Sequence, residues 1–197
     1  GTEKEGRGGI IYVEDGSASM NENRRTWAKG IGLALLKIAK DEKRRFTVIH
    51  FGGPKQYVTF DFDTSGEELK LTFLNKEYLG IEGLVTYAET NYAYSGTDFV
   101  SPLEKAHSML AQEKKETGAT NADIVLVTDG TAWVDDKWLE TFHQGKREVG
   151  YHTFGILVNS AIDSTVSKIC DMFITPANFF DGTDIAEMFK RVIHGDA

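Results

Sequence analysis

Two short apolar runs, each closing on an aspartate and a glycine, constrain this chain more than anything else in it. Gly9 to Val13 (GIIYV) leads into Glu14-Asp15-Gly16, and Asp123 to Thr128 (DIVLVT) leads into Asp129-Gly130. Runs of this length without polar alternation read as strands buried on both faces. In an open α/β sheet, ligand crevices form beyond the carboxyl ends of parallel strands. Polar loops leaving two such ends can therefore converge.

The remaining pattern alternates strand and helix. Between Asn23 and Asp41, Trp27, Ile31, Ala34, Leu35 and Ile38 repeat at helical spacing and make one apolar face, which Leu33 and Leu36 widen. RFTVIHF (45–51) predicts a central strand, GGP (52–54) a turn, and QYVTFDF (56–62) an edge strand paired back onto it, with Val58, Phe60 and Phe62 on one side. Ser65 to Glu68 predicts the start of a short helix, and 76–96 a long connection with one irregular helix. Ser101-Pro102-Leu103-Glu104 fits a capping box with proline at the first helical position, heading a helix to about Gln112. A helix over 137–148, a strand over 151–158, a short helix near 163–170, the strand DMFIT and a last helix over 183–193 complete the series. The expectation is a Rossmann-like three-layer α/β/α sandwich, with a mostly parallel sheet and one antiparallel edge strand.

Length and composition agree with one domain. The 197 residues suffice for a real core, and 41% of them are hydrophobic. The formal net charge of −8 argues against a nucleic-acid surface and suits a cation or a basic partner. No run reaches the ~18 apolar residues of a membrane span. The polar start GTEKEGRGG, without an initiator Met or the apolar core of a signal peptide, reads as a flexible segment over 1–8 ahead of a domain over 9–197, cut from a longer chain. The single cysteine, Cys170, allows no intrachain disulfide, reads as a small core residue, and favours the cytoplasm.

The chemistry gathers in three pieces: Asp15, Ser17 and Ser19 in YVEDGSASM, Thr97 in SGTDF, and Asp129 in LVTDG. Asp-x-Ser-x-Ser sets three oxygen side chains on one tight loop, with Gly16 and Ala18 small enough for the backbone to curl. Oxygen donors of this kind suit Mg²⁺, and Mn²⁺ equally. Hydroxyls from Ser17, Ser19 and Thr97 add no negative charge, so an ion held by them keeps an appetite for one more carboxylate. Each piece also has a plainer explanation: a helix cap at Ser19 or Asn21, a loop hydroxyl at Thr97, a strand-end turn at Asp129. It is their joint occurrence that favours a site.

In that order, the three pieces resemble a von Willebrand factor type A (VWA) domain, over about Gly8 to Ile193. The resemblance implies a metal-ion-dependent adhesion site (MIDAS), with Ser17, Ser19 and Thr97 as hydroxyl ligands and Asp15 and Asp129 as direct or water-bridged carboxylates. GIGLALLKIAKDEKRRFTVIHF with SGTDFVSPLEKA is similar to the C-terminal domain of bacterial, intracellular ViaA-type proteins, which implies a MoxR-type AAA+ ATPase as partner. Two departures stand out: Glu14 where an apolar residue is usual, and Trp133 in GTAWVDD.

Other signals are weaker. DGTDI (181–185) echoes SGTDF, yet Asp181 and Asp184 read better as a cap and a first-turn acid, leaving Thr183 outside the site. The five histidines show neither HxH nor HExxH spacing, which excludes a recognisable zinc motif. Asp98 is either a helper behind the metal or a solvated first-turn acid, and Asp135 with Asp136 caps the helix carrying Trp138. Trp133 and Tyr87, Tyr92 and Tyr94 are expected to be packed rather than to decorate a binding face.

Three functions compete. A docking module would complete the ion with a partner's Asp or Glu. A metal-dependent hydrolase or phosphatase would use Asp15 as nucleophile or activate water, but the second aspartate of such phosphatases falls on Ser17. There is also no P-loop and no Gly-x-Ser-x-Gly elbow. A structural ion would fasten two loops and leave no open position. The docking reading, without catalysis, membrane or nucleic acid, is the expectation.

Overall fold

The computed structural model describes residues 6–130, 132–158, 164–174, 189–191 and 194. Eight strands form one sheet in the order β5-β4-β3-β2-β1-β6-β7-β8. Its centre is β1 (Ile10–Asp15), parallel to β2 (Phe46–Phe51) on one side and to β6 (Ala122–Thr128) on the other. Next to β6, β7 (Tyr151–Leu157) and β8 (Met172–Ile174) continue the parallel half. Beyond β2 the sheet turns antiparallel through β3 (Tyr57–Asp63), β4 (Lys70–Phe73) and β5 (Lys76–Leu79). The three-layer reading holds, with an antiparallel edge that is a meander rather than one strand.

Every residue of β1, β2 and β6 is buried, as the unalternating runs imply. Ile10 and Tyr12 join the core under α1 (Glu22–Asp41) and α2 (Ile81–Glu89). Ile11 and Val13 join the core under α3 (Val100–Thr117), α4 (Asp136–Val149) and α5 (Ser164–Ile169). In α1 the buried stripe runs through Ala28, Ile31, Gly32, Leu35, Leu36 and Ala39, while Trp27, Ala34 and Ile38 are only partly covered. Small residues at 28, 32 and 39 let the helix lie close on the sheet.

Three local expectations are corrected. Ser65 to Glu68 form bends, not a helix. The stretch after them pairs as the β4–β5 hairpin, whose two-residue turn is Leu74-Asn75, both at positive φ (48° and 62°). A tight turn of that hand ordinarily carries Asn-Gly, and the leucine hid it. Third, α3 starts ahead of Ser101: Asp98 Oδ2 accepts from Ser101 N at 3.0 Å and from Ser101 Oγ at 2.8 Å, making Asp98 the cap and Pro102 a first-turn residue. Cys170 is buried, its thiol pushed up by burial. The last helix and DGTDI fall almost wholly outside the described residues. Among those described, no helix is long and apolar enough to cross a membrane.

At the amino end of the central strands a buried ion pair fastens the sheet. Arg44 Nη2 lies 2.5 Å from Asp123 Oδ2, Arg44 Nε donates to Gly8 O at 2.7 Å, and Arg7 Nη2 reaches the same Asp123 oxygen at 3.1 Å. Truncating one partner of a buried pair strands the other charge. Arg44→Ala is expected to lower unfolding free energy in urea by about 3–5 kcal/mol. Arg45→Ala, which breaks a half-exposed pair with Asp61, should lower it by under about 1 kcal/mol. Relieving the turn with Leu74→Asn and Asn75→Gly should raise stability by roughly 0.5–2 kcal/mol, since Leu74 is exposed and packs little.

Candidate metal centre

The strand order reverses at β1: the chain goes from β1 to β2 on one side, and β6 later fills the other. Such a switch point leaves a crevice at the carboxyl ends of β1 and β6. Asp15 ends β1, and Asp129 follows β6 directly. Their loops are bound across the gap by Thr128 Oγ1, which donates to Asp15 Oδ2 at 2.7 Å. The other Asp15 oxygen accepts from Ser17 N at 2.8 Å, curling the loop back on itself. Asp15 is 1% exposed, Ser17 3% and Asp129 6%. Burial pushes the Asp15 carboxyl above its ordinary range and Asp129 adds to the rise, against the hydrogen bonds from Thr128 and Ser17.

Ser17 Oγ and Ser19 Oγ lie 3.0 Å apart, and Ser19 Oγ donates to Asp129 Oδ1 at 3.0 Å. Thr97 comes from a segment laid over the first loop. Ala18 N donates to Tyr94 O at 2.8 Å, Tyr94 N to Gly16 O at 2.9 Å, and Asp98 N to Gly52 O at 2.8 Å. Thr97 is thus held between two clamped residues, and its Oγ1 would be 3.4 Å from a Cβ placed on Gly130. All five sequence-picked residues therefore gather around the carboxyl ends of β1 and β6. Asp98 does not join them, because its carboxylate is spent on capping α3.

Beneath the loop sits a polar cluster whose assembly the sequence did not disclose. Glu14 shares the face of Ile10 and Tyr12. It lies 3.2 Å from Lys29 Nζ, accepts from Tyr87 Oη at 3.0 Å, and meets His50 Nδ1 at 2.8 Å. Tyr92 N donates to His50 Nε2 at 3.1 Å, while Nδ1 on the other side of the ring faces Glu14. Lys29 also stands 4.0 Å over the Tyr87 ring. The pull of His50 and Lys29 outweighs burial and keeps Glu14 below its ordinary range, and burial lowers Lys29. The unusual glutamate is therefore neutralised by its own layer rather than by the crevice. Tyr87 is packed as expected, and Tyr92 and Tyr94 stack half-buried. Trp133 is not packed: it is 82% exposed on the loop after β6.

Among the described residues no group of three or more His, Cys, Asp or Glu gathers as a cation site; the donors here are hydroxyls with two carboxylates. They fit a small hard cation, because two neighbouring oxygens of an octahedron with ~2.1 Å arms are ~3.0 Å apart. The Ser17–Ser19 spacing matches that edge. A broad apolar groove of about 1010 Å³, lined by Leu33, Leu36, Ile81 and Leu84, lies elsewhere, and none of the five residues touches it.

Residues 10–131 match the von Willebrand factor type A domain family, and the chain belongs to that family. It is similar to two uncharacterized proteins of the archaeon Methanocaldococcus jannaschii: MJ0811, 30% identical over 94% of this chain, and MJ0077, 25% identical over 85%. The chain spans only 38% and 37% of those relatives' lengths. Among solved structures, the von Willebrand factor type A protein from Catenulispora acidiphila superposes with a TM-score of 0.59 at 15% identity, covering 96% of this chain and 43% of that one. The SpRpn10 VWA domain gives 0.57 at 12%, covering 86% and 87%. Domains of this family are in general interaction modules, often with a metal at the loop crevice.

Gly16 lies against the ring that joins the two layers. A Cβ there would sit 2.4 Å from His50 Nε2, and one at Gly52 would sit 2.0 Å from Tyr94 Cβ. Gly16→Ala is expected to cost about 1–3 kcal/mol in thermal or urea unfolding, as overpacking does. It should also raise amide exchange at Ala18 and Tyr94, whose cross-loop hydrogen bonds the displaced ring would strain.

Proposed function

We propose that this domain is a divalent-cation-dependent protein-docking module, holding Mg²⁺ or Mn²⁺ through Ser17, Ser19 and Thr97, with Asp15 and Asp129 as direct or water-bridged carboxylates. The observation that carries the reading is the 3.0 Å spacing of the two serine hydroxyls above two buried, prepositioned carboxylates. A bound ion supplies concentrated positive charge with a position left for an outside oxygen. The chain's part is to fix the hydroxyls, keep negative charge in reserve behind them, and leave the outer side of the crevice to a partner's Asp or Glu.

Covalent catalysis fits poorly. Both Asp15 oxygens are occupied, by Ser17 N and Thr128 Oγ1, and the residue is buried, so it is badly placed as a nucleophile. A coordination position left open to a partner would separate docking from a purely structural ion. Given the sequence resemblance to ViaA-type proteins, the domain is proposed as one part of a longer cytoplasmic adaptor for a MoxR-type AAA+ ATPase.

Chelated protein titrated with Mg²⁺ or Mn²⁺ should gain about 2.7 kcal/mol at 100 times the dissociation constant, roughly 5–10 °C in melting temperature. Ser17→Ala should abolish the gain while keeping the fold. A purified MoxR-type ATPase should bind in Mg²⁺ and not in chelator. Equal binding in both conditions would rule out the metal-dependent adaptor.

A further inference from the structure

One cation of the chain already addresses the crevice. Arg24 lies in the first turn of α1, where Asn21 Oδ1 caps its backbone N–H at 3.0 Å. Its Nη1 stands 2.9 Å from Asp129 Oδ2 and 3.2 Å from the Ser19 carbonyl oxygen. A helix amino end carries partial positive charge and is an unfavourable place for arginine. The placement is offset by what the guanidinium reaches: the loop of Ser19 and the carboxylate of Asp129, itself only 6% exposed. Asp129 is thus shared. One oxygen accepts from Ser19 Oγ, on the ligand side of the crevice, and the other from Arg24.

We propose that Arg24 is the internal counter-cation of this site, neutralising Asp129 when no divalent ion is bound and competing with the ion for that charge, so that it sets the site's cation affinity. The proposal rests on the metal-docking reading above. Two physical consequences define it. A dication entering beside Ser19 meets a fixed positive charge held to the same carboxylate, so binding must weaken or displace the Arg24–Asp129 pair. Without the ion, the pair offsets the repulsion between two buried carboxylates and keeps the loops closed in readiness. Arg24 itself, about one-third exposed, has room to swing toward solvent. The site would therefore fill only at cation concentrations high enough to win that competition.

Isothermal titration of chelated protein with MnCl₂, alongside melting curves with and without Mn²⁺, tests this on wild type, Arg24→Gln and Arg24→Lys. Arg24→Gln is expected to bind Mn²⁺ about tenfold more tightly, equivalent to ~1.4 kcal/mol. It should also melt lower than wild type when metal-free, and at the wild-type temperature or above when saturated. Arg24→Lys, which keeps the charge on a different head group, should fall between wild type and Arg24→Gln. Unchanged or weaker binding by Arg24→Gln, with wild type binding normally, would sink the role of Arg24 and leave the metal site standing. Failure of wild type and both variants to bind Mn²⁺ would overturn the metal reading and this proposal together.

Discussion

The central position of β1, parallel to a neighbour on each side, is the constraint on which the rest depends. Because β1 is covered on both faces, its residues must be apolar or paired, and its carboxyl end must deliver Asp15 to the gap beside β6. The hydrogen bond from Thr128 to Asp15 then ties the two strand ends together at the point where ligands can enter. At the opposite end of the same strands, Arg44 and Asp123 fasten the sheet with a buried ion pair. Two polar fixtures, one at each end of an apolar strand, hold the register that places the five candidate residues.

Electrostatics give the crevice its character. Two carboxylates are buried close enough for Asp129 to help raise Asp15, yet the more exposed oxygen-bearing residues, Ser19 and Thr97, carry hydroxyls. Such a site is charged behind and neutral in front, which suits holding a cation without satisfying it. Glu14 could have spoiled this balance by adding a third negative charge one residue away. It does not, because Lys29, His50 and Tyr87 meet it in the layer beneath. The same His50 ring backs Gly16 and receives a hydrogen bond from Tyr92 N, so the polar cluster also supports the loop that carries the site.

The fold was legible where patterns were long or uninterrupted. The three central strands and α1 announced themselves by unbroken apolar runs and by helical spacing. The β4–β5 hairpin did not, because its turn uses Leu74-Asn75 in place of a glycine signal and each strand has only four residues. The cap of α3 falls three residues ahead of the strong local signal Ser101-Pro102, because Asp98 captures that serine's own N–H and hydroxyl. Trp133 is expected to pack like most tryptophans, but its neighbours Ala132 and Val134 take the core-facing positions of that loop, and the indole stands in solvent.

The sandwich class and its middle strands could be read from the residues alone, and five oxygen-bearing residues nominated, since periodicity and residue type are local properties. The partners those residues find come from the folded chain. That Thr128 locks Asp15, that Glu14 is answered by Lys29 and His50, and that Arg24 reaches Asp129 across 105 positions of chain all depend on long-range pairings. A one-dimensional pattern can show that an arginine sits oddly at a helix start. Only the folded chain shows the carboxylate that makes the position favourable.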